Sequence, residues 1–311
     1  MDYKAFLKDL TDLGPRCAEK ELQAAKIIKN YLSSINISFI SQIFDSEVPV
    51  CTKAELIVDN KKIDCLGSSL VSGKIPNGEY LISHFGFTGD SPYNIAYSPV
   101  TDNISVVDHF KVPSLTISRK DIIKIIMAKE VKGIIEIKRT RIKTENILVG
   151  NTEDPKYIVF AHFDSIIGPG AVDNAGSVTA MMSCIENNEN LFTTTLFNFS
   201  GNEEMAYDDY QLSGYGFRVF EQKYGNLLEK AEKIVVMDGL GVGEPIFTQN
   251  GLDWVLQLKM LDKIREKVFW LQNDQASVLQ YFHTHSDKDE IIEEQYLSQA
   301  EDALRQKLTG G

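Results

Sequence analysis

The sequence lacks several features that would place it directly in a class of protein. It has four cysteines but no Cys-x-x-Cys pair, so we expect buried thiols and no cysteine-based zinc site. No apolar run reaches the roughly 18 residues that a membrane-spanning helix needs. Residues 1–8 include two lysines, but no apolar stretch follows them as it would in a signal peptide. We therefore expect a cytoplasmic protein with no membrane partner.

Positive charge is scarce as well. Lys and Arg number 32 against 44 Asp and Glu, which gives a formal net charge of −12 at pH 7. A protein that binds nucleic acid needs a basic face, so we expect no nucleic-acid partner. Most of the excess carboxylates are expected to be solvated surface groups, but some can bind metal ions or hold a cationic amine.

The first part of the chain reads as helices followed by a β-rich region. The 311 residues suffice for one large α/β domain or for a domain that carries an insertion. Apolar residues recur at helical spacing in residues 2–13 and 18–33, with a Gly-Pro turn between them. Short β-type runs then alternate with turn residues, and one helix is predicted over 119–129. We interpret residues 45–139 as a β-rich inserted subdomain.

The rest of the chain alternates strands with helices. Strands are predicted at 157–161, 193–199 and 234–237, and the helices at 175–188, 212–224 and 291–307. Near-continuous apolar strands indicate a sheet that is covered on both faces. The sequence therefore predicts an α/β fold whose central sheet is flanked by helices, formed by residues 1–44 and 140–311.

The ends of these strands carry side chains that can bind metals. Ligands of open α/β sheets bind beyond the carboxyl ends of the strands. Each residue alone has an ordinary explanation, such as a helix N-cap or a solvated acidic turn. Their recurrence at five places predicts a site. The residues are His162 with Asp164, Asp173, the pair Glu203 and Glu204, Asp238, and His283 with His285 and Asp287.

The charges of this set suit two divalent cations. Asp173, Glu204 and Asp238 supply three negative charges, while His162 and His283 are neutral. Two Zn²⁺ ions and a bridging hydroxide would bring the site to neutrality, and zinc takes imidazole nitrogen and carboxylate oxygen. The sequence therefore predicts a two-zinc site, for which Co²⁺ or Mn²⁺ are alternative metals.

The remaining carboxylates of this set have other expected tasks. Neighbouring residues of a strand point to opposite faces, so Glu203 and Glu204 converge only if the strand has ended before them. One of the two can then bind metal while the other takes a proton from water. Asp164 stands two residues after His162 and is placed to orient its imidazole.

At this point the chain resembles a known family, the co-catalytic dizinc aminopeptidases, whose relatives include glutamate carboxypeptidases and glutaminyl cyclases. The resemblance covers about residues 140–290, with a weaker likeness around Gly14-Pro15-Arg16. The order of the motifs is that of the family. They are VFAHFDS at 159–165, GAVDNAG at 170–176, NEE at 202–204, VMD at 236–238 and HTxxD at 283–287.

The resemblance implies a role for each residue. His162 and Asp238 would bind one zinc ion, Glu204 and His283 the other, and Asp173 would bridge both. Glu203 would be the general base, with Asp164 supporting His162. The resemblance also implies a mixed, largely parallel sheet of the zinc-exopeptidase type and a cis peptide bond at Asp173-Asn174. Residues 45–139 are similar to the protease-associated domain that many relatives insert.

These implications predict an aminopeptidase that acts on peptides. The stretch between Asp238 and His283 is shorter than the family usually has, so substrate specificity is not carried over. By spacing alone His285 competes with His283 as the ligand. Glutaminyl cyclase, carboxypeptidase or aminoacylase activity stays open, as does a non-catalytic binding homologue. The oligomeric state also stays open, a homo-oligomer included.

Overall fold

The computed structural model describes residues 1–84, 91–106, 108–208 and 210–310. Its contacts divide the chain into two units. The first unit consists of Met1–Glu47, Arg141–Val278 and Asp287–Gly311, and the second of Val48–Thr140 and Leu279–Ser286. The sequence division, by comparison, places residues 279–286 in the peptidase domain.

The sheet of the first unit is mixed and largely parallel. Four neighbouring strands run parallel, in the order Thr195–Ser200, Tyr157–His162, Lys233–Met237 and Val268–Gln272. An antiparallel strand borders each side: Val131–Gly150 pairs with the first of the four, and Ile246–Thr248 with the last. This arrangement confirms the predicted fold class. The strands Ile246–Thr248 and Val268–Gln272 were not predicted.

Both faces of this sheet are buried, because successive residues of a strand point to opposite faces and both sets are apolar. Val159 and Ala161 pack in one hydrophobic core, which also holds the two N-terminal helices. Ile158 and Phe160 pack in the other core, on the opposite face. The polar residues that follow each strand are therefore held at the edge of a rigid, doubly covered sheet.

The helices of the first unit account for most of the predicted helical segments. The predicted helix at 212–224 begins later and extends further, over Tyr215–Lys230. Among the described residues, no helix is long and apolar enough to cross a membrane. The other α-helices are Tyr3–Thr11, Glu19–Ser34, Gly176–Asn187, Leu252–Val255, Leu261–Ile264, Gln275–Val278 and Glu294–Thr309, with 3₁₀ turns at Glu189–Thr193, Arg265–Lys267 and Asp289–Ile291.

The second unit has its own sheet and its own core. Its sheet has the order Cys65–Gly67, Ser114–Ile117, Asn94–Tyr97 and Leu81–His84, of which the last three strands are parallel. The predicted helix at 119–129 is shorter, with a 3₁₀ turn at Arg119–Asp121 and an α-helix at Ile122–Met127. The remaining strands of this unit are Lys61–Ile63 and Gly73–Ile75, while Ile40–Val58 and Val131–Gly150 contain residues of both units.

Gly150 lies where the strand Val131–Gly150 comes very close to the neighbouring strand Thr195–Ser200. Its φ is +97°, and a Cβ at this position would overlap the carbonyl oxygen of Thr195. Gly14 also has a positive φ, +68°, but a Cβ there would meet only the Lys20 ammonium at 3.7 Å. We expect Gly14→Ala to lower the free energy of unfolding by about 1 to 2 kcal/mol through its backbone conformation. Gly150→Ala should cost about 1 to 3 kcal/mol more, because backbone must move.

Denaturant titration of both variants measures this difference. Equal losses of stability in the two variants would contradict the close approach of Gly150 to Thr195.

Candidate metal centre

Three parallel strands bring the predicted site residues to one edge of the sheet. His162 is the last residue of the central strand of the three. Asp238 directly follows the neighbouring strand Lys233–Met237, and Glu203 and Glu204 lie just beyond Thr195–Ser200 on the other side. Because parallel strands end at the same edge, these side chains lie close together, as the sequence predicts.

His162 stands at the centre of this group. Its Nε2 lies 3.2 Å from Asp173 Oδ1 and 3.8 Å from Asp238 Oδ2. These three residues each offer a ligand atom, all within 4.8 Å of one another. Burial lowers the pKa of His162, but its carboxylate neighbours, Asp164 and Asp173 above all, outweigh this effect and raise the pKa well above its usual value.

Asp164 connects the imidazole to the glutamate pair. Its Oδ1 lies 3.4 Å from His162 Nδ1. Its two oxygens also accept the backbone N–H groups of Glu203 and Glu204, both at 3.0 Å. The sequence suggested the first contact but not the second. One buried carboxylate therefore lies against the ring of His162 and fixes the course of the chain through the two glutamates.

Asp173 is held by a carboxylate from the far end of the chain. Asp287 accepts the backbone N–H groups of Val172 at 2.7 Å and of Asp173 at 3.1 Å. Asp173 belongs to the irregular turn Ala171–Ala175, which leads into the helix Gly176–Asn187. The peptide bond between Asp173 and Asn174 is cis, as the resemblance implied. Asp287, the acid of the HTxxD motif, thus positions the turn that carries Asp173.

Arg16 is a supporting residue whose role the sequence did not reveal. Its side chain is 0 % exposed, and its guanidinium donates to the carbonyl oxygens of Phe163 at 2.6 Å, of Gly170 at 2.9 Å and of Pro169. It therefore holds the loop that runs from His162 to the turn of Asp173. The Gly-Pro-Arg likeness was the only sequence signal, because the accepting carbonyls lie about 150 residues further along the chain.

The two glutamates occupy different surroundings. An oxygen of Glu204 and an oxygen of Asp173 lie within 4.8 Å of each other. Glu203 Oε2 lies 4.0 Å from His162 Nε2. Burial raises the pKa of Glu203 well above its usual range, His162 opposes this, and the charge of Glu204 adds to it. Glu203 is thus a buried carboxyl group with a high proton affinity beside the imidazole.

His283 belongs to the second unit. Its Nδ1 lies 2.8 Å from the carbonyl oxygen of Val106 in the same unit. When Nδ1 carries the proton for this bond, Nε2 keeps its lone pair, which is the usual arrangement of a metal-binding histidine. His285 is exposed. The assignment of His283 as a ligand stays a prediction that rests on the sequence motif.

The donor set fits zinc. One imidazole nitrogen and two carboxylate oxygens converge around His162, and catalytic zinc sites use this combination of donors. Asp164, Asp173, Glu203 and Glu204 are all buried at this edge. Buried carboxylates are costly unless cations neutralise them, so the cluster favours bound metal.

Arg16→Lys tests the support of the Asp173 loop. Lysine keeps the charge, but its compact ammonium cannot serve three carbonyl groups in the fixed fork of a guanidinium. We expect the free energy of unfolding to fall by about 3 kcal/mol, as it does when buried charge networks are broken. We also expect metal affinity to fall about 10- to 100-fold.

The matched control is Arg265→Lys, which changes a partly exposed arginine paired with Asp253 and Asp262. It should unfold at the wild-type denaturant concentration and bind metal normally. If Arg16→Lys behaved like this control in denaturant and metal titrations, Arg16 would not support the site.

Comparison with known proteins finds solved structures with a similar fold. The chain is similar to a zinc aminopeptidase from Bacillus subtilis, with 17% identity, coverage of 97% of this chain and 92% of that chain, and a TM-score of 0.66. It is also similar to an aminopeptidase from Aneurinibacillus sp. strain AM-1, with 14% identity, 98% and 92% coverage, and a TM-score of 0.65. A glutaminyl cyclase from Porphyromonas gingivalis gives 12% identity, 99% and 96% coverage, and a TM-score of 0.53.

At such low identities these likenesses show a shared fold. None of the curated protein sequences compared with the chain matches it. The model of peptidase family M28 matches residues 146–304, which include His162, Asp173, Glu204 and Asp238. The chain belongs to peptidase family M28.

Proposed function

We propose that this protein is a metal-dependent aminopeptidase, which removes residues from the free N-terminus of peptides. The observation that carries the proposal is the position of Glu203. Its carboxyl group is buried and lies 4.0 Å from the imidazole of His162. That imidazole and the carboxylates of Asp173 and Asp238 surround one possible metal position. That combination of an N/O metal site with an adjacent proton acceptor suits hydrolysis by an activated water.

Two zinc ions would be held by the residues that the motifs assign. His162 and Asp238 would bind the first ion, Glu204 and His283 the second, and Asp173 both. When bound, such ions lower the pKa of water and polarise the carbonyl group of the scissile bond. The geometry around His162 supports the first of these assignments, and the sequence motif supports the second.

Glu203 would act as the general base. It takes a proton from the attacking water and then delivers it to the amine that leaves. Its backbone N–H is fixed on Asp164, so its carboxyl group is held at the sheet edge rather than on a mobile loop.

Preference for a free N-terminus would follow from the surplus of negative charge. The substrate's ammonium group is attracted to carboxylates at the site, and an internal peptide bond offers no such group. The net charge of −12 adds a long-range attraction for cationic termini.

Glutaminyl cyclase activity is a second candidate, because glutaminyl cyclases share the fold. A cyclase of this type needs one zinc ion, whereas the motifs of this chain supply ligands for two. We therefore favour hydrolysis.

A substrate panel tests the proposal. We expect zinc-loaded protein to cleave peptides and amino-acid amides with a free N-terminus and to leave their N-acetylated counterparts intact. Glu203→Gln should bind zinc normally and lose at least about 100-fold in kcat, the scale of a lost general base. The panel includes a peptide with N-terminal glutamine, whose cyclisation would instead support the second candidate.

Glu203→Gln also serves as the control for contaminating peptidases, because it is purified in the same way. If the wild-type protein cleaved only the N-acetylated substrates, the aminopeptidase assignment would be overturned. Full activity in Glu203→Gln would overturn the role of Glu203.

A further inference from the structure

Glu21 is a buried carboxyl group that neither the motifs nor the proposed chemistry uses. It lies in the first turn of the helix Glu19–Ser34, where acids are common because they favour the positive end of the helix dipole. Glu19, in the same turn, is exposed to solvent as expected for that role. Glu21 is only 1 % exposed. Burial of a carboxyl group is costly, so its contacts need another explanation.

Glu21 contacts the residues that directly precede Glu203 and Glu204 in the chain. Its side chain accepts the hydroxyl of Thr144, from the strand Val131–Gly150. The backbone N–H of Asn202 also faces this carboxyl group. A Cβ on Gly201 would come within 2.8 Å of Glu21 Oε1, so the chain passes directly against this carboxyl group.

Asn202 is the residue at which the strand turns away. Its φ is +52°, in the left-handed region of the backbone. Residues other than glycine are uncommon there, although asparagine tolerates it better than most. Its side chain is tied on both sides, since its Nδ2 donates to the carbonyl oxygen of Met205 at 2.9 Å and its Oδ1 accepts from Ser46. The turn at Asn202 lets Glu203 and Glu204 leave the alternation of the strand.

Buried side chains face four successive backbone N–H groups along this turn. The N–H of Gly201 donates to Asn146 Oδ1 at 3.3 Å, and that of Asn202 faces Glu21. The N–H groups of Glu203 and Glu204 both donate to Asp164. In a regular strand the neighbouring backbone would accept these groups. Here three buried side chains from other elements face them, and Asp164 takes two of the four.

We propose that Glu21 is a positioning residue for the catalytic step: through its close contact with the backbone of Gly201 and Asn202 it fixes the turn that positions Glu203. This inference rests on the proposed role of Glu203 as the general base. Thr144 holds the Glu21 carboxyl group in place, and Glu21 in turn lies against the chain between the anchor of Gly201 and the two anchors on Asp164. Glu21 itself does not touch substrate.

Glu21→Gln is the test, with Glu145→Gln as its matched control. Glutamine offers one acceptor oxygen, so Asn202 and Thr144 can no longer both donate to this side chain. Either the Thr144 hydroxyl must turn round and accept from the amide N–H₂, or that N–H₂ faces the N–H of Asn202. Glu145 is another buried acid close by, but its side chain pairs with Lys29 and not with the turn. Both substitutions remove a buried carboxyl group, but only Glu21→Gln is expected to disturb the position of Glu203.

We expect Glu21→Gln to lower kcat by at least about tenfold, in line with other residues that orient a site. KM and zinc content should stay at their wild-type values. Amide hydrogen exchange of the peptide that spans residues 201–204 should become faster. Glu145→Gln should keep wild-type kcat and wild-type exchange in that peptide, even where its melting temperature falls. If Glu21→Gln does not fold, Glu21→Asp replaces it, with a smaller loss of kcat because it keeps two acceptor oxygens.

Two results would overturn the inference. One is a kcat in Glu21→Gln that matches that of Glu145→Gln, and the other is unchanged exchange across residues 201–204. Failure of the proposed function has a different signature, because wild-type protein would then show no cleavage of free N-termini. In that case the exchange measurement alone decides whether Glu21 fixes the turn.

Discussion

The arrangement of the site depends on one buried carboxylate, that of Asp164. It lies 3.4 Å from the imidazole of His162 and accepts the backbone N–H groups of both Glu203 and Glu204. A regular strand would point two adjacent glutamates to opposite faces of the sheet. Asp164 takes the place of a strand partner for these two residues, and it does so from the loop that follows His162. Glu203, the proposed general base, and His162, a proposed metal ligand, are therefore both placed against the same carboxylate.

The same arrangement concentrates negative charge at one edge of a buried sheet. Asp164, Asp173, Glu203 and Glu204 are all buried there. The guanidinium of Arg16 supplies positive charge behind the loop, but its hydrogen bonds go to carbonyl oxygens. A cluster of this kind is stabilised when divalent cations bind it, so metal binding and the stability of this part of the fold are expected to be linked.

The parts of the site that could be predicted from the sequence are those that follow directly from the strands. Apolar runs located the three central strands, and the rule that parallel strands end at one edge brought His162, Glu203 and Asp238 together. The edge strand Ile246–Thr248 and the strand Val268–Gln272 were missed, because segments of three and five residues are too short to carry a clear periodic signal. The placement of His283 in a segment that groups with the second unit was also not predicted.

The supporting residues could not be predicted for a different reason. Arg16 binds carbonyl groups, which every residue has, so no partner can be recognised from side-chain chemistry. Glu21 bonds to Thr144, which lies 123 residues away along the chain, and lies against the backbone of Gly201. Such contacts become visible only when the helix, the long strand and the turn are placed in space.

The central claim is that this edge of the sheet holds catalytic zinc. Anomalous diffraction at the zinc absorption edge, from crystals of zinc-loaded protein, tests it most directly. The account predicts two peaks at this edge, one of them in contact with His162, Asp173 and Asp238, and the loss of both in Asp173→Asn. Well-ordered crystals of zinc-loaded protein with no peak beside His162 would contradict it.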